Sequence, residues 1–178
     1  ISDPVLKKMN RKITRKEIEA TMARVRRKLP DVAWRTTFIV GFPTETDQDF
    51  EELVDFVSEG HFQHLGIFLY SDEDNIRSSK FGDPIPLSLK EERKNRLMEI
   101  QQKISREHHQ KMVGSLQQVL VGGFSSETDL LLEGRNQYQG PEVDGVVYIN
   151  EGNATSAGFH QVEITEAHEY DLVGKILN

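Results

Sequence analysis

The sequence predicts an α/β portion followed by a small all-β domain, and three observations carry that reading. Amphipathic helical patterns alternate with short apolar runs as far as about residue 112. After Gly114 the pattern changes to short strands separated by turn signals, at the spacing of a small barrel or sandwich. Charge changes at the same place: residues 1–110 hold 19 basic and 19 acidic side chains, whereas residues 111–178 hold only Lys111, Arg135 and Lys175 against ten acidic ones, a balance of −7. The boundary is therefore set at residues 112 and 113.

Taken in order, Thr14 with Glu17 fits a capping box, and Ile18, Met22, Val25 and Leu29 follow at helical spacing until Pro30 stops the helix. Ala33 to Val40 reads as the first strand. A second helix near Thr46 to Glu59 places Phe50, Leu53, Val54 and Val57 at i, i+3, i+4 and i+7, and Gly60 ends it. Leu65 to Tyr70 is the second strand. A polar stretch, Ser71 to Pro86, precedes a long helix opened by Ser88 with Glu91 and running through Leu97, Ile100 and Ile104 to about Met112. Strand, helix, strand implies a right-handed parallel crossover. Two parallel strands do not bury a sheet, so further strands are expected upstream of Ile1. The later strands are Leu116 to Val121, Leu130 to Gly134, Val146 to Ile149, Gln161 to Ala167 and Asp171 to Leu177.

Composition excludes several classes. The chain has 178 residues and no cysteine, so disulfides, thiolate metal sites and cysteine nucleophiles are absent from these residues. No apolar run approaches the roughly eighteen residues of a membrane span, and no basic-then-apolar leader opens the chain. It starts at Ile1 rather than Met and is read as a fragment, monomeric and cytoplasmic.

The run from Arg35 to Thr46 is the most informative stretch. Its uninterrupted hydrophobics suit a strand buried on both faces. At its carboxyl end Gly41 permits a sharp turn or close approach to a ligand, where α/β folds place their sites. Alternation puts Arg35, Thr37, Ile39 and Gly41 on one face. Arg35 either lines a polar cavity or sits at the strand entrance and reaches solvent, the more ordinary outcome for a guanidinium. His61, His64, His108, His109, His160 and His168 match no zinc-ligand spacing and read as surface histidines. Lys90, Arg93, Lys94, Arg96, Lys103, Arg106 and Lys111, interleaved with Glu91, Glu92, Glu99 and Glu107, read as a solvated helical face with i, i+4 pairs. With so few cations, the last third is a poor RNA binder. Its acidity favours a basic protein at long range, or serves solubility alone.

Two segments carry a family resemblance. Ser2-Asp3-Pro4-Val5-Leu6-Lys7-Lys8-Met9-Asn10-Arg11, then Trp34-Arg35-Thr36 before Phe38-Ile39-Val40-Gly41-Phe42-Pro43-Thr44-Glu45-Thr46-Asp47, then Gly66-Ile67-Phe68-Leu69-Tyr70-Ser71, resemble the later part of the TIM-like barrel of radical S-adenosylmethionine methylthiotransferases. The last third resembles that family's TRAM domain, an OB-like five-stranded antiparallel barrel. Gly134-Arg135, Pro141-Glu142-Val143-Asp144-Gly145-Val146-Val147-Tyr148 and Glu169-Tyr170-Asp171-Leu172-Val173-Gly174 resemble the RimO-type branch, which modifies a ribosomal protein where sister branches modify tRNA.

The resemblance implies a reaction. A 4Fe-4S cluster on a C-x-x-x-C-x-x-C loop reduces S-adenosylmethionine, the resulting 5′-deoxyadenosyl radical takes a hydrogen from carbon, and a second 4Fe-4S cluster takes part in delivering a methylthio group. The implied acceptor is the β-carbon of an aspartate in the basic protein twelve of the small ribosomal subunit. Both clusters are expected upstream of Ile1, so this fragment alone is expected to be inactive. Carried over residue by residue, Ile39 and Gly41 match positions near the adenine, with Arg35 and Thr37 on the same face. Phe68, Tyr70 and Ser71 end the next strand beside it, and Ser2 and Arg11 match the preceding polar loop. Thr37 stands where the family often has glycine, and Asp72 to Arg77 replace a common proline and glycine-threonine loop. The alternatives are a tRNA methylthiotransferase and a non-catalytic protein-binding module.

Overall fold

A computed structural model describes residues 1–73, 78–154 and 157–177. It divides into two compact units, Ile1–Gln101 and Gln102–Asn178, the division falling within a long helix. The first unit runs α1 (Asp3–Lys8), α2 (Arg15–Lys28), β1 (Arg35–Val40), α3 (Asp47–Ser58), β2 (His64–Leu69), a 3-10 turn (Ser79–Phe81) and the start of α4 (Leu87–Gln110). α2 begins with the expected Thr14 and Glu17 capping box, and α3 with a second one from Thr46 and Asp49. The short α1 replaces an expected loop. Its signals are Pro4 at the helix start, Asp3 in the first turn, and Lys7 and Lys8 in the last, compressed into six residues. α4 begins at Leu87, so Ser88 is already helical; the amides of Leu89 and Lys90 bond to the Pro86 carbonyl, at 3.0 and 3.1 Å. The Asp72 to Arg77 loop falls in part outside the described residues.

β1 and β2 pair in parallel, Arg35 opposite His64 through Val40 opposite Leu69. Only one face of this pair is buried. Val40 and Ile67 pack with Phe50, Leu53, Val54 and Val57 of α3 and Leu97 of α4. Arg35, Thr37 and Ile39 point to the opposite, exposed face. The expectation of burial on both faces fails because α3 and α4 cover the same side, while Arg35, Thr37 and Ile39 on the other remain exposed.

The face of α4 expected to be solvated carries buried cations. Lys90 and Arg93 are each 3% exposed. The Lys90 ammonium donates to the Tyr70 carbonyl at 2.8 Å and to both Asp83 carboxylate oxygens at 2.5 and 2.6 Å. Arg93 donates to Glu45 at 2.5 Å and Asp47 at 2.6 Å. Glu45 in turn accepts the Gly41 amide at 3.0 Å, so Arg93, Glu45 and the end of β1 form one chain of bonds. Burial pushes the Glu45 carboxyl above its usual range, against the opposing pull of the Gly41 amide and Arg93. Gly41, at φ +76°, is closed in by the Lys90 stem: an added Cβ would overlap Cγ and stand 2.8 Å from Cδ.

The second unit is a closed five-stranded barrel of β3 (Leu116–Phe124), β4 (Leu132–Arg135), β5 (Val147–Glu151), β6 (Gly158–Ala167) and β7 (Leu172–Ile176), ordered β3-β4-β5-β7-β6. It is not wholly antiparallel as expected, since β5 and β7 pair in parallel. Closing the barrel between them requires a crossover through β6 rather than a hairpin. Val119, Val121, Val147, Ile149, Val162, Ile164, Leu172 and Ile176 fill the interior by strict alternation. The Gly145 backbone lies directly against the Tyr170 carbonyl, leaving no space for a side chain. Asp171 locks the same corner by accepting the Val146 amide at 2.8 Å. His109 is buried rather than on the surface, its Nδ1–H donating to the His168 carbonyl at 3.1 Å.

Two outcomes follow from the network at the end of β1. Gly41→Ala combines left-handed backbone with a clash against a lysine pinned at its tip, and should cost about 1–3 kcal/mol in urea unfolding. Combined with Lys90→Ala the losses should fall short of additive by at least about 0.5 kcal/mol; strict additivity would show that the two do not touch. For Glu45, a raised folded-state pKa means that its contribution is fully present below the unfolded carboxylate value, about 4.3, and is lost as pH rises through the folded value. The stability of the native chain relative to Glu45→Gln should therefore decline as pH rises above the unfolded carboxylate value, and a rising difference would contradict the assigned cause.

Candidate functional site

Two cavities open beside β1. The first, of about 420 Å³, is lined by α1, α2 and the exposed face of β1, including Ser2, Arg11, Arg35, Thr37 and Ile39. The second, of about 500 Å³, lies outside the carboxyl ends of β1 and β2 and includes Lys7, Lys8, Asn10, Ile39, Tyr70, Ser71, Ser78 and Lys80. Volumes of this size suit small ligands. Ile39 lines both.

The sequence-predicted residues thus fall into two groups with two left over. Ser2, Arg11, Arg35, Thr37 and Ile39 share the first cavity, and Tyr70 and Ser71 meet Ile39 at the second. Arg35 opens β1 and is exposed, the second of its two alternatives, and the cavity it also lines is mainly apolar rather than polar. Phe68 pairs with Ile39 across the strands and is 68% exposed, yet lines neither cavity. Gly41 lines neither, because the Lys90 stem occupies the space beside it.

Local structure explains the placements. Ser2 is buried and its hydroxyl donates to Asp49, the residue whose other carboxylate oxygen accepts the Thr46 amide and hydroxyl at 2.9 and 2.6 Å. Burial raises the Asp49 pKa, but the bonds from Ser2 and Thr46 outweigh it, and the carboxyl is held below the usual range. One acidic side chain therefore caps α3 and anchors the residue that precedes α1. Thr37 faces Gly66 across the strand pair, where a Cβ would lie 3.3 Å from the threonine hydroxyl. The missing side chain at 66 makes room for the one at 37. Beyond Ile39, Phe42 meets Tyr70 edge-on at 5.4 Å and Phe81 at 6.1 Å, forming an aromatic floor near the second cavity.

Sequence reasoning missed Lys7, Lys8, Lys80 and the anchoring roles of Glu45, Asp49, Lys90 and Arg93. The Thr46-x-x-Asp49 spacing is a readable capping signal for one of them. The partners of Lys90 and Arg93 lie on other elements and leave no local pattern. Among the described residues no cluster of histidine and acidic side chains has metal-binding geometry, and no helix is long and apolar enough to cross a membrane.

Comparison with known proteins finds matches in two segments of the chain. Residues 1–57 match the Radical SAM superfamily model, and residues 113–177 match the TRAM domain model. The chain is 50% identical over 177 residues to the ribosomal protein uS12 methylthiotransferase RimO of Bdellovibrio bacteriovorus, covering 99% of this chain and 39% of that protein. It is 43% identical over 178 residues to the protein of the same name from Geobacter sulfurreducens, and 45% identical over 178 residues to that from Desulfotalea psychrophila, covering 40% of each. It spans about two fifths of the length of these relatives. Over its whole length the chain is thus similar to radical S-adenosylmethionine methylthiotransferases, and it carries a stretch joining a radical SAM segment to a TRAM domain.

Proposed function

We propose that this chain is the C-terminal part of a methylthiotransferase acting on the β-carbon of an aspartate in ribosomal protein uS12. In this reading residues 1–112 supply barrel and linking helix, and residues 113–178 a substrate-docking TRAM domain. The observation that supports it most is the exposed face of β1, where Arg35, Thr37 and Ile39 open onto a cavity of about 420 Å³ in a segment matching the radical SAM superfamily.

The two implied groups fit this chain differently. Without cysteine, these residues do not suit an iron-sulfur cluster, and no step through one is assigned to them. The first cavity does suit the adenosine end of S-adenosylmethionine: an apolar wall formed by Ile39, with Thr37, Arg35 and Ser2 as polar contacts. When bound, that cofactor supplies the fragment that abstracts hydrogen. The chain's own part is to hold the adenosine against Ile39 and keep water from it.

The acidic last third supports docking of a basic protein. Glu127, Asp129, Glu142, Glu151 and Glu166 are exposed, while Lys175 is paired with Glu163 at 3.2 Å. Such a surface attracts lysine- and arginine-rich chains over about 8–10 Å at physiological salt and repels nucleic acid.

The test is mass spectrometry of uS12 and tRNA from cells lacking the corresponding gene. Deletion should remove the methylthio group from uS12, and the full-length protein should restore it while the 178-residue chain alone does not. Loss of a methylthio group from tRNA, with uS12 unchanged, would overturn the assignment.

A further inference from the structure

Resting on that reading, we infer that the second cavity receives the carboxylate of the substrate's acidic side chain, with Lys8 and Lys80 as its cationic ligands and Lys7 at its rim. The cavity lies outside the carboxyl ends of β1 and β2 and shares Ile39 with the first, so an occupant stands next to the proposed cofactor wall. Its cations are placed by packing. The Lys8 and Lys80 ammonium groups lie 5.6 and 5.0 Å from the centroid of the Phe81 ring, which meets Phe42 at 6.1 Å, and Phe42 in turn meets Tyr70 at 5.4 Å. Lys8 would serve the end of α1 equally well from open solvent. Drawing it and Lys80 to one ring costs electrostatic repulsion, which an anion between them would reverse.

The nearby acids among the described residues do not fill that role. Among the described residues no carboxylate stands within ion-pair distance of Lys7, Lys8 or Lys80, whereas Lys90 and Arg93 are both paired. Asp72 and Glu73 accept from the Tyr70 and Ser71 hydroxyls, at 3.5 and 2.8 Å. Asn10, Ser71 and Ser78 add neutral hydrogen-bonding groups to the lining. Charge selects the kind of anion. A chain of net charge −7 is a poor host for a polyanion, but a basic protein presenting one carboxylate matches an isolated positive pocket within an acidic molecule.

The experiment uses the full-length protein and labelled uS12 peptides carrying either the target aspartate or asparagine in its place. The aspartate peptide should bind about tenfold more tightly, a difference of about 1.4 kcal/mol. Lys8→Gln with Lys80→Gln should abolish that preference while leaving the asparagine peptide, S-adenosylmethionine affinity and melting temperature unchanged, and Lys8→Arg with Lys80→Arg should retain it. Equal binding of the two peptides to the native protein would overturn the pocket and leave the methylthiotransferase reading standing. So would a tenfold loss of S-adenosylmethionine affinity in the glutamine variant, which would assign the lysines to the cofactor. If neither peptide binds but tRNA does, and inorganic phosphate competes with it, both the pocket and the uS12 reading fail.

Discussion

The arrangement of the first unit depends on two cations buried in the first two turns of a helix. Lys90 and Arg93 sit on the side of α4 facing the carboxyl ends of the strands, and each is tied to the backbone there, Lys90 directly through the Tyr70 carbonyl and Arg93 through Glu45 to the Gly41 amide. A buried charge deprived of its partner costs about 3–5 kcal/mol, so neither tie is released without loss of the packing around it. Gly41 belongs to the same constraint. Its left-handed backbone and missing side chain leave the space that the Lys90 stem fills, and the strand ends where the lysine meets it. The face of β1 bearing Arg35, Thr37 and Ile39 owes its position to contacts made on the opposite face.

That division between a pinned face and an open one also explains what the sequence made legible. The helices, strands and their order were readable because capping pairs such as Thr14 with Glu17, and apolar spacing such as Phe50, Leu53, Val54 and Val57, are local signals. The barrel strands were readable from alternation. Two features were not. A parallel β5 and β7 pair depends on where the chain returns after β6, which no short-range pattern records. Lys90 and Arg93 looked solvated because a charged helix normally is, and their partners Asp83, Glu45 and Asp47 are supplied by other segments. The candidate site shows the same limit. Resemblance gathered Ser2, Arg11, Arg35, Thr37 and Ile39 around one cavity, but it could not separate Tyr70 and Ser71 into a second, nor reveal that Gly41 faces a lysine stem.

Charge is distributed as sharply as structure. The first 110 residues are balanced, and within them Lys7, Lys8 and Lys80, for which no carboxylate partner is found among the described residues, collect at one cavity. The last third is acidic, with five exposed carboxylates and few cations. An acidic surface acts at range on a basic partner, whereas a small basic pocket acts only on the group placed inside it. In the proposed function, long-range attraction and local recognition would use opposite signs, so a target would have to satisfy two different requirements.

The central claim, that buried cations on α4 fix the end of β1 and with it the open face, is tested most directly by amide hydrogen exchange in Arg93→Met, with the exposed Arg96→Met as the control. The Tyr70 amide, bonded to the Val40 carbonyl at 2.9 Å, and the Gly41 amide should lose protection by at least about tenfold in the first variant and remain unchanged in the second. Equal protection of both amides in the two variants would show that the strand end holds its place without Arg93.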